Sequence, residues 1–239
     1  MRILMLSVNF SQKPYPVYPL GAAAAAEAAR RAGHEVRLAD LLSEGDFAGF
    51  QPERLRRLLG EFEPDGLGLS LRNLEGDDDS SPGPDEGLAR LGQIVAVARS
   101  FWAGPVFLGG AGFSLMPEEA LARSGADYGL PGEAEEALPV FLRALAERRA
   151  VPGLQPRPSP AAAFGRPALE PELARRYAGR GGLIGVQTKR GCAFGCLYCA
   201  YPLLEGRALR FRPVADVLEE LGRLTEILRA PCVAFADAV

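Results

Sequence analysis

The residues best suited to chemistry form one run, Cys192-Ala193-Phe194-Gly195-Cys196-Leu197-Tyr198-Cys199. It sets three thiols so close in sequence that all three sulfurs can reach one centre from a single loop. Three thiolates are one ligand fewer than a closed tetrahedral zinc site or an all-cysteine iron–sulfur cluster requires. A 4Fe-4S cluster held by three cysteines keeps one iron open to an exogenous ligand, and an open position suggests catalysis. The spacing differs from the usual ferredoxin patterns. A structural zinc would want a fourth Cys or His close by. Cys232 lies well downstream in an apolar run, where it reads as a small buried hydrophobe, and the only histidine, His34, is far upstream and reads as a surface turn residue. A disulfide framework does not suit three cysteines packed this tightly in an otherwise ordinary chain. The donor set therefore favours a cluster, with zinc as the alternative.

The elements that must position this loop read as alternating strands and helices. Residues 3–8 are a continuous apolar run, as expected of a strand buried on both faces of a parallel sheet. A proline-rich loop follows, then a helix over 21–32 that Gly33 ends. Strands are expected over 35–40, 66–71, 105–108 and 126–130, and helices over 52–61, 85–101, 117–124 and 135–149. Pro139 fits the last helix only near its first turn and is a candidate for its true start. This alternation predicts a doubly wound parallel α/β, Rossmann-like domain over residues 1–149. Residues 150–180 read as a proline-rich linker with a bridging helix over 171–177. From 181 onward come a strand (183–188), the cysteine loop, a loop with Arg207, Arg210 and Arg212, a helix (213–228) and a strand (232–236). In that helix Val217, Leu218, Leu221, Leu224 and Leu228 share one face. Strand, loop, helix, strand is the first βαβ unit of a (β/α) barrel. One such unit cannot close a sheet, so the chain is expected to be the front part of a longer protein.

Ligands of open parallel sheets bind beyond the carboxyl ends of the strands. The unusual loops fall there: the one after the first strand, Arg72-Asn73-Leu74 after the third, and Gly109-Gly110 after the fourth. Paired glycines admit a ligand close to the backbone; a tight strand-to-helix turn is the equal alternative. The first strand is not followed by G-x-G-x-x-G, and no Walker A motif occurs, which disfavours dinucleotides and nucleoside triphosphates. Glu75-Gly76-Asp77-Asp78-Asp79 lacks calcium-loop spacing and reads as a solvated loop. Glu133 and Glu135 could pair as acid and base, but carboxylates at a helix start also answer the helix dipole, which is preferred.

With 239 residues, 48% hydrophobic, 24% charged and a net charge of −3, the chain has the make-up of a globular protein without a nucleic-acid footprint. No apolar run is long enough to span a membrane, and the first residues do not form a signal peptide. The expected address is cytoplasmic.

The pattern at Cys192, Cys196, Tyr198 and Cys199, with Gln187-Thr188-Lys189-Arg190-Gly191 before it, resembles the radical S-adenosylmethionine (SAM) superfamily. With the Rossmann-like domain in front, Gly109-Gly110 and Gly132-Glu133-Ala134-Glu135, the whole chain resembles the cobalamin-binding radical SAM enzymes. It looks most like the group with Pro14-Tyr15-Pro16 in the first loop and Tyr201-Pro202 after the third cysteine, whose members are tied to lipid and natural-product pathways. The resemblance implies Cys192, Cys196 and Cys199 as cluster ligands, Tyr198 against the SAM adenine and Arg190 among the SAM contacts. It places cobalamin between the domains, near Tyr15, Pro16, Val17, Tyr18 and Gly21 below, with Ser70, Arg72, Asn73, Gly109, Gly110, Gly132 and Glu133 around its tail. No residue is assigned as catalytic. The D-x-H-x-x-G motif is missing, so a lower histidine ligand to cobalt is not expected. The implied reaction is methyl transfer to an unactivated carbon of a small-molecule or lipid-like substrate. A 5′-deoxyadenosyl radical would make the substrate radical, methylcobalamin would supply the methyl, and a flavodoxin or ferredoxin would supply electrons. A non-methylating rearrangement with a vestigial cobalamin domain, and a non-catalytic cofactor-binding module, are the alternatives. The piece by itself is expected to be inactive. Arg190, Arg210 and Arg212 could bind the SAM carboxylate or an anionic substrate, or equally serve as surface or domain-interface residues.

Overall fold

A computed structural model of the chain describes residues 1–74, 84–229 and 231–237. The acidic loop expected around residues 75–79 falls outside them. In order, the first lobe contains β1 (Arg2–Ser7), α1 (Leu20–Arg31), β2 (Glu35–Asp40), α2 (Leu41–Glu44), α3 (Pro52–Phe62), β3 (Gly66–Ser70), α4 (Pro84–Arg99), β4 (Val106–Gly109), α5 (Ala111–Leu115), α6 (Pro117–Ser124), β5 (Tyr128–Gly129) and α7 (Ala134–Ala146). These five strands make one parallel sheet in the order β2-β1-β3-β4-β5. Successive strands step outward in both directions from the β1/β3 boundary, and such a reversal opens a crevice beyond the strand ends.

Alternate residues of β1 feed two cores. Ile3 and Met5 pack with α1 and α7, whereas Leu4 and Leu6 pack with α3 and α4 on the other face. The alanine tract gives α1 its close seat: Ala22, Ala23, Ala26 and Ala29 are almost wholly buried. Small side chains that lose no rotamer entropy let α1 lie tightly against the sheet and α7. Gly33, at φ +86, turns the chain after α1, as expected. Helix α7 begins at Ala134, so Pro139 sits inside it rather than in its first turn. The hydrogen bond this removes is offset by Leu138, Phe141 and Leu142, all buried against α1 and the sheet.

Beyond α7 the chain does not leave the domain. Gly129 donates to the Gly153 carbonyl and accepts from Gln155, so Leu154 continues the sheet edge beside β5. Ala168 then hydrogen-bonds to Ala23 of α1. The second lobe contains α8 (Pro171–Gly179), β6 (Ile184–Val186), β7 (Lys189–Arg190), α9 (Tyr201–Leu204), β8 (Arg210–Phe211), α10 (Val214–Ile227) and β9 (Val233–Phe235). Strands β6 and β9 pair in parallel and β7 and β8 antiparallel. Leu224 of α10 and Leu228 just after it are buried, but Leu218 is exposed. Cys232 is exposed rather than buried, because it lies just before β9, which pairs only with β6 among the described residues. No helix of the described residues is long and apolar enough to cross a membrane.

Two buried tyrosines tie the lobes together. Tyr18 donates its hydroxyl to the Ala168 carbonyl and accepts from Glu170 N–H, both at 3.1 Å. Tyr177 of α8 donates to Asp40 Oδ2 at 2.9 Å. The intervening backbone is paired as well, with Tyr18 N–H on the Leu183 carbonyl and Leu183 N–H on the Pro16 carbonyl.

Candidate functional site

The crevice beyond the β1/β3 boundary is a cavity of about 650 Å³ between the two lobes. Its floor is built by the first lobe: Gly21 at the start of α1, Ser70, Arg72 and Asn73 after β3, Gly109 and Gly110 after β4, and Gly132 and Glu133 before α7. Gly110 adopts φ +98, and a side chain there would run into the Leu71 carbonyl, so this turn admits only glycine. A Cβ on Gly21 would meet no heavy atom within 4 Å, which leaves the cavity wall open at that point. The opposite wall comes from the second lobe: Gln187, Arg190, Tyr198, Cys199, Tyr201 and Glu205.

Gly21, Ser70, Arg72, Asn73, Gly109, Gly110, Gly132, Glu133, Arg190 and Tyr198 thus surround one space, although they are spread over most of the chain. Tyr15, Pro16, Val17 and Tyr18 do not line it. Tyr15 is exposed, Pro16 and Tyr18 hydrogen-bond to Leu183, and Val17 bridges to it. His34 lies in the turn between α1 and β2, at the end of the sheet away from the cavity. There burial and the Met1 ammonium, 3.5 Å away, hold its pKa below the usual value.

Cys192 is buried, Cys199 half-buried and Cys196 exposed, and all are free thiols. Among the described residues no three His, Cys, Asp or Glu side chains are gathered as a metal site. The loop is anchored at its start by Cys192 N–H on the Gly206 carbonyl, and Cys199 N–H on the Cys196 carbonyl closes a turn at its end. Phe194, Leu197 and Tyr198 are exposed, and Tyr198 also lines the cavity.

A ring of charges joins the cysteine loop to the first lobe. Arg210 makes a two-pronged contact with Glu133 (2.6 and 2.8 Å) and also donates to the carbonyls of Ala161 and Glu205. Glu205 accepts from Gly191 N–H at 3.0 Å and Gln187 Nε2 at 3.1 Å. Gln187 Oε1 accepts from Arg190 Nε, and Arg190 reaches Glu135 at 2.7 Å while lying over the Phe164 ring. Arg212 is enclosed by Glu220 and the Gln187 carbonyl. Arg190 and Arg210 are therefore interface residues, with Glu135 and Glu133 as their acceptors, whereas Arg212 is paired within the second lobe. Burial raises the pKa of Glu205 and of Glu220, opposed by the Gly191 N–H and by Arg212 respectively. Hydrogen bonding to Glu133 raises that of Arg210. Sequence reading missed this ring and the place of Glu205 in it. The available signal was two carboxylates opening α7 and the alternating arginines after the cysteines.

The family model of the B12-binding domain matches residues 7–142. The chain belongs to the B12-binding domain family. Relatives extend the likeness past that domain. Tryptophan 2-C-methyltransferase from Streptomyces laurentii is 27% identical over 55% of this chain and 33% of its own length. Hopanoid C-3 methylase from Methylococcus capsulatus is 28% identical over 92% of this chain and 43% of its own length. Among solved structures, the radical SAM methyltransferase TsrM from Kitasatospora setae, with cobalamin and a 4Fe-4S cluster bound, superposes with a TM-score of 0.77 at 24% identity, over 99% of this chain and 47% of that one. The cobalamin-dependent SAM radical enzyme OxsB, with aqua-cobalamin and SAM bound, gives 0.76 at 17% identity over 99% and 34%. The chain thus shares their fold and spans between a third and a half of their length.

Proposed function

We propose that the cavity seats two cofactors: cobalamin against the B12-binding floor, and a SAM-binding 4Fe-4S cluster on the cysteine loop. The enzyme to which this chain belongs then methylates an unactivated carbon of a small or lipid-like molecule. One observation carries the reading: the turns of the B12-binding domain and the cysteine loop, through Tyr198 and Cys199, line the same cavity. The residues suit both groups. Glycines at 21, 109, 110 and 132 leave a cradle that larger side chains would fill, and three free thiols on one loop are a soft donor set for iron. Both named relatives methylate carbon according to their names, which supports methyl transfer over rearrangement.

Cys192, Cys196 and Cys199 would hold the cluster, and Ser70, Arg72, Asn73, Gly109, Gly110, Gly132 and Glu133 would line the cobalamin seat. When bound, cobalamin supplies a methyl carrier, and the cluster with SAM supplies radical initiation. This chain's own residues enclose and orient. The Glu133–Arg210 and Glu135–Arg190 pairs hold the two lobes together beside the cavity. Leu69, Phe107, Leu130 and Leu138 give it an apolar lining. Electrons would come from a flavodoxin or ferredoxin.

Anaerobic reconstitution with iron, sulfide and hydroxocobalamin tests this. Expected are bound cobalt and iron together, with iron abolished and cobalt retained in Cys196→Ala. Iron without cobalt refutes the cobalamin seat, and zinc in place of iron refutes the cluster.

A further inference from the structure

The base of the cysteine loop carries more buried polar contact than closing a wall requires. Two consecutive N–H groups are captured there, Gly191 by the Glu205 carboxylate and Cys192 by the Gly206 carbonyl at 3.1 Å. The same carboxylate holds Gln187, and the Glu205 carbonyl accepts from Arg210 at 2.6 Å. Gly191 lies at φ +90, and a side chain there would collide with the Ala208 carbonyl, so the turn has one available shape. Arg210 continues to Glu133 of the B12-binding domain, with both side chains under one-tenth exposed. A buried ion network of this kind is weak evidence for stability, but here it links the turn before Cys192 to the B12-binding domain.

We propose that Glu205 is a positioning residue whose carboxylate and carbonyl clamp the turn before Cys192 to Arg210 and Glu133, setting where the thiols stand relative to the B12-binding floor. This rests on the two-cofactor reading of the cavity. The residue touches no reacting atom in this scheme; it acts through the backbone of Gly191 and Cys192. Two features make the assignment specific. Glu205 is the C-cap of α9, the short helix that follows the third cysteine, so the clamp closes the loop on itself. It also lines the cavity, on the wall that carries the cysteine loop.

The test uses the full chain, anaerobic and metal-free, with iodoacetamide labelling of each cysteine followed by mass spectrometry. In Glu205→Ala the labelling rate of buried Cys192 should rise about tenfold, as expected when a hydrogen bond to a charged acceptor is lost and local opening follows. Exposed Cys232 should label at an unchanged rate. Glu205→Gln keeps an acceptor for the Gly191 N–H and should stay within about threefold of the parent. After reconstitution, the electron paramagnetic resonance spectrum of the reduced iron centre should change in Glu205→Ala and be restored in Glu205→Gln. Parent-like Cys192 protection in Glu205→Ala overturns the clamp. So does a joint rise at Cys192 and Cys232, which marks general loosening. The two failures separate cleanly: a parent chain that takes up no iron refutes the cofactor reading and the positioning role with it. A parent that takes up iron while Glu205→Ala matches it in protection and spectrum refutes the clamp alone.

Discussion

Replacing Asp40 with asparagine should raise stability at neutral pH and remove a pH dependence between about pH 4 and 6. Asp40 ends β2 with no exposed surface. Burial pushes its carboxyl from 3.8 up to about 6, against the pull of Ser43 N–H and the hydroxyls of Ser7, Tyr177 and Ser43. Oδ2 accepts from Ser43 N–H at 2.8 Å and Tyr177 at 2.9 Å, while Oδ1 has no partner. Between the two pKa values the folded chain binds more protons than the unfolded chain. The stabilisation is complete below about pH 4 and is lost as pH rises through about 6. A carboxyl moved from 3.8 to about 6 corresponds to roughly 3 kcal/mol. In Asp40→Asn the amide oxygen can accept from Ser43 and Tyr177, and the neutral NH2 takes the unpartnered position. Part of the gain is lost because a neutral acceptor binds more weakly, which leaves a net increase of about 1–2 kcal/mol at pH 7. Paired urea unfolding curves at pH 4, 5, 6 and 7, followed by far-ultraviolet circular dichroism, measure it. The parent-minus-variant difference isolates Asp40, because Glu205 and Glu220 titrate alike in both proteins. Parallel curves, with a difference that does not vary with pH, would refute an Asp40 titrating near 6.

Two further substitutions probe the cavity. Glu133→Ala should destabilise the chain by about 3 kcal/mol, the low end for breaking a buried pair because Arg210 keeps two carbonyl acceptors. Since Glu133 also holds Ala161 N–H, residues 150–168 should become more sensitive to limited proteolysis; unchanged cleavage would count against the interface. Gly21→Leu places a side chain in open space on a helix, so melting temperature should hold or rise. Hydroxocobalamin affinity should fall about tenfold or more, as expected for overpacking a binding site; an unchanged Kd would remove Gly21 from the cobalamin seat.

The strand and helix segments of the first lobe were legible in the sequence because their signals are local. The apolar run of β1, the alanine face of α1 and Gly33 after it each depend on neighbours within a few turns. The cysteine loop was legible for the same reason, since its donors are a few residues apart. What tertiary structure decided was everything set by distance along the chain. Glu133 and Arg210 meet across 77 residues, and only that meeting shows Arg210 to be paired at an interface rather than free for a ligand. Tyr18 lies in a loop that, by position, should border the cavity, yet it turns away because Ala168 and Glu170 complete its hydroxyl. Asp40 looks like an ordinary polar strand end until Tyr177, 137 residues away, covers it. Burial and partnership set the charge state of such groups, and both are properties of the packed chain, not of any segment of it.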